Sequence, residues 1–191
     1  MNTNCFLEGV HCPVDVVSGD QMTKAKRHEL FGRVDGGAQS IQCEHFQRQK
    51  IIQGTGLPCP STSARINLRT NRLDAYLPHP NKKMDGFDYS EDFDGVQCWN
   101  KKKVYINMKC IVSNGGHQIR SLREVYWFVQ GQLKVLQNEP HLYFANVLDG
   151  DFAHASFPKF EYAASLPEYE NVRHRMYIGD LKGYFDWFKT L

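Results

Sequence analysis

The sequence predicts an α/β fold: a mixed central sheet flanked by helices, with a helical and looped cap at the N-terminal end. Three observations predict it. Apolar runs beyond residue 100 alternate as strand, helix, strand, helix, strand, the order of a mixed or parallel sheet. The 191 residues, 41% hydrophobic and 13% aromatic, suffice for one well-packed domain and are few for two. The texture also changes near residue 75: residues 1–75 are rich in Gly, Ser, Thr, Gln and Arg, whereas residues 76–191 are patterned more sharply.

In chain order, a first helix is expected around Lys24 to Phe31 and a second around Gln42 to Ile52, stopped by "GTGLPCP". "DGVQCW" leads into a hairpin whose second arm, "VYINMKCIV", is a strand by its β-branched and apolar content. A Gly115-Gly116 turn then starts a helix from about Ile119 to Gln137. "LYFANVLDGD" from Leu142 and "RMYIGDL" from Arg175 read as two further strands, and a short aromatic helix ends the chain. There is no internal repeat and no low-complexity tract.

A formal charge of +2 and a pI near 8.2 exclude a chain that binds nucleic acid by bulk charge, so an anionic partner must be met by a local patch. No run has the length of a membrane span, and no secretory signal stands at the start. The six cysteines form no C-x-x-C pair, which with the missing signal predicts an intracellular protein with reduced thiols. A zinc site from Cys5, Cys12, Cys43 and His45 matches no familiar ligand spacing, and buried thiols are the more ordinary reading.

The chemistry concentrates between Asp94 and Val129. On a strand, alternate side chains share a face, so Val104, Ile106, Met108, Cys110 and Val112 form an apolar face, and Tyr105, Asn107, Lys109 and Ile111 the other. A lysine in such a strand needs solvent or an anion. Phosphodiester hydrolysis needs a divalent cation on the phosphoryl oxygens and a cation or proton donor beside it. Hard cations such as Mg²⁺ take oxygen ligands. Asp94 offers a carboxylate, Asn107 an amide oxygen and Lys109 a cation, with Glu91, Asp92 and Glu124 as further acids. Asp94-Gly95 is also an ordinary turn pair, and Glu124 with Arg120 an ordinary helical ion pair.

Asp94, twelve residues, then Asn107-Met108-Lys109 resembles the PD-(D/E)XK nuclease superfamily, whose pattern is an acid followed on the next strand of a hairpin by acid-any-lysine. "DFDG" before the hairpin and "GGHQIRSLREVYWFV" after it are similar to the core of certain type II restriction endonucleases; the resemblance spans about residues 88–190. It implies a restriction-endonuclease-like sheet that cuts double-stranded DNA with Mg²⁺, for which Mn²⁺ substitutes, and a two-fold homodimer on palindromic sites. Asp94, Asn107, Glu91 and Glu124 would hold the metal and Lys109 would act on the attacking water. Asn107 stands where the family has an acid. That departure leaves three readings: an amide used as a ligand, an inactivated copy of an acid, or a domain that binds without cutting.

A DNA surface is expected from Lys101, Lys102 and Lys103 in the hairpin, Lys82 and Lys83 before it, and Gln118, Arg120 and Arg123 after it, all near the proposed site in sequence. Arg48, Arg65, Arg69, Asn71 and Arg72 in the cap are side-chain types that pair with base edges. A non-cleaving DNA-binding module and a protein-interaction domain using the aromatic C-terminus are the alternatives.

Overall fold

The protein is described from a computed structural model, which covers residues 22–32, 36–75 and 88–191. Two helices come first, α1 (Lys24–Phe31) and α2 (Gly36–Thr55), followed by a small hairpin of β1 (Arg65–Asn67) and β2 (Arg72–Asp74). The main sheet begins with β3 (Gly95–Trp99) and β4 (Lys102–Cys110). After it come α3 (Gly116–Asn138), β5 (Leu142–Asp149), the single turn α4 (Asp151–His154), α5 (Phe157–Ser165), β6 (Met176–Gly179) and α6 (Leu181–Lys189).

The sheet order is β3-β4-β5-β6, with β3 antiparallel to β4 and the other neighbours parallel. It is therefore a mixed sheet flanked by helices, the α/β class expected from the sequence. Parallel strands are joined by helices that cover both sheet faces, so central strands are apolar on both sides. β4 follows that rule. Val104, Ile106 and Met108 pack with Ile51 of α2 and with Tyr184, Trp187 and Phe188 of α6. Tyr105 packs on the opposite face with Phe93, Phe144 and the apolar side of α3, where the Phe93 and Phe144 rings stack 5.1 Å apart.

The face of β4 that carries Asn107 and Lys109 is thus mostly core: Tyr105 and Ile111 are buried in it, and only Asn107 and Lys109 between them are polar. Ile51, Cys59, Ala64 and Ile66 are core residues as well, so residues 36–75 build the same two cores instead of lying over them.

The expected helices and strands are all present, with α2 and α3 longer than the sequence suggests. α2 ends where "GTGLPCP" predicts: Gly56 takes the left-handed backbone and its N–H closes on the Ile52 carbonyl at 2.9 Å. Three features fix the end of the sheet that matters below. The Gln118 Oε1 accepts from the backbone N–H groups of Val112 and Ser113 at 3.0 and 2.7 Å, tying the β4–α3 loop to the first turn of α3. Arg48 of α2 donates to the carbonyls of Cys59 and Asp94 at 3.0 and 2.7 Å. The Gln47 Nε2 holds the carbonyl of Lys109 at 3.1 Å.

Candidate active site

The β3/β4 register pairs Gly95 with Ile106, so Asp94 lies one step before β3, level with Asn107 and Met108. Its Oδ2 accepts the Met108 N–H at 2.6 Å, which ties the carboxylate to β4. Burial pushes Asp94 up to about 6, although the Lys109 cation, the Met108 N–H and Arg48 all pull it down. Burial by itself would lower Lys109, but the charges of Asp94, Glu91 and Glu124 together hold it above the usual lysine value. The Lys109 Nζ lies 3.3 Å from the Glu91 Oε2. Glu124 stands on the exposed side of α3 and acts on Lys109 through its field. Residues far apart in sequence, 91, 94, 109 and 124, therefore share one charge neighbourhood.

Asn107 is the buried member, 1% exposed, directly across the parallel pair from Asn146. Its Nδ2 donates to the Asn146 Oδ1 at 3.1 Å. Asn146 in turn exchanges two hydrogen bonds with Gln132 of α3: Asn146 Nδ2 to Gln132 Oε1 at 2.6 Å and Gln132 Nε2 to Asn146 Oδ1 at 3.1 Å. Asn107 is thereby one end of a buried network of three amides. The sequence reading missed Asn146 and Gln132. The one local signal for Asn146 is a lone amide inside the apolar run "YFANVL".

No family model, no curated protein and no solved structure matches the chain. The site must be judged on its own donors. Among the described residues, no three His, Cys, Asp or Glu side chains come together closely enough to hold a metal ion. An all-carboxylate cage is therefore not available, but Mg²⁺ commonly needs only one or two carboxylates, its other positions being filled by water and substrate oxygens. The oxygen donors in this neighbourhood are Asp94, level with Asn107 across the β3/β4 register, and Glu91 beside Lys109.

The basic residues expected to contact DNA are dispersed. Lys103 and Lys109 stand six residues apart on β4, about 20 Å at the rise of a strand, so Lys101, Lys102 and Lys103 lie at the far end of the hairpin from Asp94. Nearness in sequence misled there, because a strand carries its two ends apart. Lys102 is also engaged, with its Nζ on the Leu191 carbonyl and over the Tyr143 ring. Arg48 serves the backbone, Arg65 is paired with Asp92, and Arg69 bonds Asp88 at 2.7 Å. Gln118 spends its carbonyl on the β4–α3 loop. Arg72, Arg120 and Arg123 are exposed, the last two on the same half of α3 as Glu124.

Asp149 is a clamp, its Oδ1 accepting the Met22 and Gly150 N–H groups at 2.6 and 2.7 Å. Cys5, Cys12, Lys82 and Lys83 lie outside the described residues. No described helix is long and apolar enough to cross a membrane.

Proposed function

We propose that the chain is a metal-dependent endonuclease that hydrolyses phosphodiester bonds of double-stranded DNA, with a restriction-endonuclease-like core. One observation carries the reading: a half-buried carboxylate and a half-buried lysine, on adjacent antiparallel segments, share one charge neighbourhood beside the buried amide of Asn107.

In this reading Asp94 and the Asn107 Oδ1, helped by Glu91 and Glu124, hold Mg²⁺ or Mn²⁺. When bound, the ion bears charge on the phosphoryl oxygens and makes water a better nucleophile at neutral pH. Lys109 is kept protonated by the acids around it, so it serves as a fixed ammonium that orients the attacking water and offsets the charge building on the phosphate. Arg120 and Arg123 meet the DNA backbone near the cut. A two-fold dimer would match the symmetry of a palindromic duplex.

The test is incubation of the purified protein with mixed-sequence duplex DNA and Mg²⁺ or Mn²⁺, followed by sequencing of the fragment ends. Cleavage that disappears in Lys109→Ala while DNA binding persists supports the enzyme, because a group acting on the transition state affects turnover more than ground-state affinity. A folded protein that neither binds metal nor cuts with either cation overturns it. Salt-sensitive binding without cleavage would leave a DNA-binding module on a degenerate core.

A further inference from the structure

A groove of about 550 Å³ lies between α3 and the first turns of α5. Ile119, Leu122 and Tyr126 line it from α3, spaced three and four apart so that they share one helix face. Phe160 lines it from α5. Leu122 and Phe160 belong to the buried core, and the Tyr126 ring packs 5.9 Å from that of Phe160, so the core itself holds the groove in shape. Tyr162, also in the wall, is 60% exposed, and a ligand that covers its ring gains apolar burial.

The charges in the wall have one sign. Arg123 comes from α3 and Lys159 from α5, both exposed, and no acid among the described residues lines the groove. Neither cation forms an ion pair among the described residues. The Ser156 hydroxyl is turned back to the Phe152 carbonyl, 3.5 Å away. A ligand there meets apolar surface and positive charge, with few groups to read hydrogen bonds. Sites of this size hold a small organic molecule by apolar and aromatic contact, with a few polar groups to orient it. From Ile119 to Tyr126 the wall runs about 10 Å at the rise of a helix, the length of a fused two-ring acid.

We infer that the groove between α3 and α5 binds a small aromatic organic anion, its rings over Tyr126 and Tyr162 and its acid group toward Arg123 and Lys159. The site needs no metal and none of the acids around Lys109. Arg123 is also one of the two arginines placed on DNA above, so a bound anion and a duplex would compete for it. Lys159 is not, and it is the cation to change.

Naphthalene carboxylate and its neutral carboxamide are titrated by calorimetry into the full chain, Lys159→Ala and Tyr162→Ala. Both changed residues are exposed, so both variants should keep the fold, which thermal melting checks. The carboxylate should bind with a dissociation constant on the order of 0.1 mM, the scale for about a dozen heavy atoms, and more tightly than the carboxamide. Lys159→Ala should weaken the carboxylate roughly threefold to fivefold and leave the carboxamide within about twofold, as the loss of an exposed ion pair does. Tyr162→Ala should weaken both compounds alike, by roughly fivefold, because it removes ring contact and no charge. Failure of either compound to bind at millimolar concentration overturns the site, and so does binding that neither substitution weakens. A carboxamide that binds as tightly as the carboxylate overturns the assignment of an anion. Decanoate, an apolar acid without a ring, should bind more weakly, and equal affinity overturns the aromatic preference.

Discussion

Asp94 governs how the site responds to pH. Its carboxyl titrates near 6 in the folded chain against 3.8 for the free group, so between those values the folded state holds a proton that the unfolded state has released. Its contribution to stability is therefore full below about pH 4 and is lost as pH rises through 6. Asp94→Asn should flatten that part of the stability profile in urea unfolding and raise stability at pH 7. Metal must displace the same proton, so Mn²⁺ affinity should climb through pH 6 and level above it. An affinity independent of pH between 5 and 7 would separate Asp94 from the metal. That Asp94 and Lys109 share one charge neighbourhood was legible in the sequence, because a hairpin brings its two arms side by side. Asn146 was not, since its partnership with Asn107 depends on the register of a parallel pair formed across all of α3.

Among the elements, α3 links the site to the core and is held at both ends. Gln118 ties its first turn to the end of β4. At the other end Arg175, itself buried, donates to the carbonyls of Leu136, Glu139 and Leu142, capping the last turn and the connection to β5. Arg175→Met keeps the volume and removes the donors; it should cost about 2–4 kcal/mol in denaturant unfolding, as a charged donor serving several buried acceptors does. Gly150→Ala should destabilise the β5–α4 turn still more visibly, because Gly150 has φ +110 and a Cβ there would fall on the carbonyl of Ile111. If Gly150→Ala melts like the starting protein, that turn is not as drawn. β4, α3, β5, β6 and α6 were legible because apolar residues repeat along them. β1 and β2, three residues each, are too short to show a period. α5 starts without a side-chain cap and with a proline in its first turn, and so reads as loop.

At the scale of the molecule, position on the sheet separates the basic groups that the sequence lists together. If DNA lies over Asp94 and Lys109, the joint change Arg120→Ala and Arg123→Ala should flatten the slope of log affinity against log salt by roughly two units, about one per phosphate contact. The joint change Lys101→Ala and Lys103→Ala, at the far end of the hairpin, should alter the slope by less than one. The reverse result would move the interface to the hairpin tip and away from the acids. The fold class was legible because strand and helix periods differ; the sharing of two cores by residues 36–75 was not, since packing between distant segments leaves no local pattern.

The layer beneath β4 has a consequence for how the chain is made. Val104, Ile106 and Met108 are covered by Tyr177 of β6 and by Tyr184, Trp187 and Phe188 of α6, within the last fifteen residues. Synthesis runs from the N-terminus, so a growing chain has α2 to lay over the strand carrying Asn107 and Lys109 before the other half of that cover exists. Until the ribosome reaches Phe188, the aromatic part of the layer is missing. A chain stopped short of α6 would leave that part of the layer, and the side of α2 that packs on α6, exposed and should be a target for chaperones and proteases instead of a smaller version of the same protein.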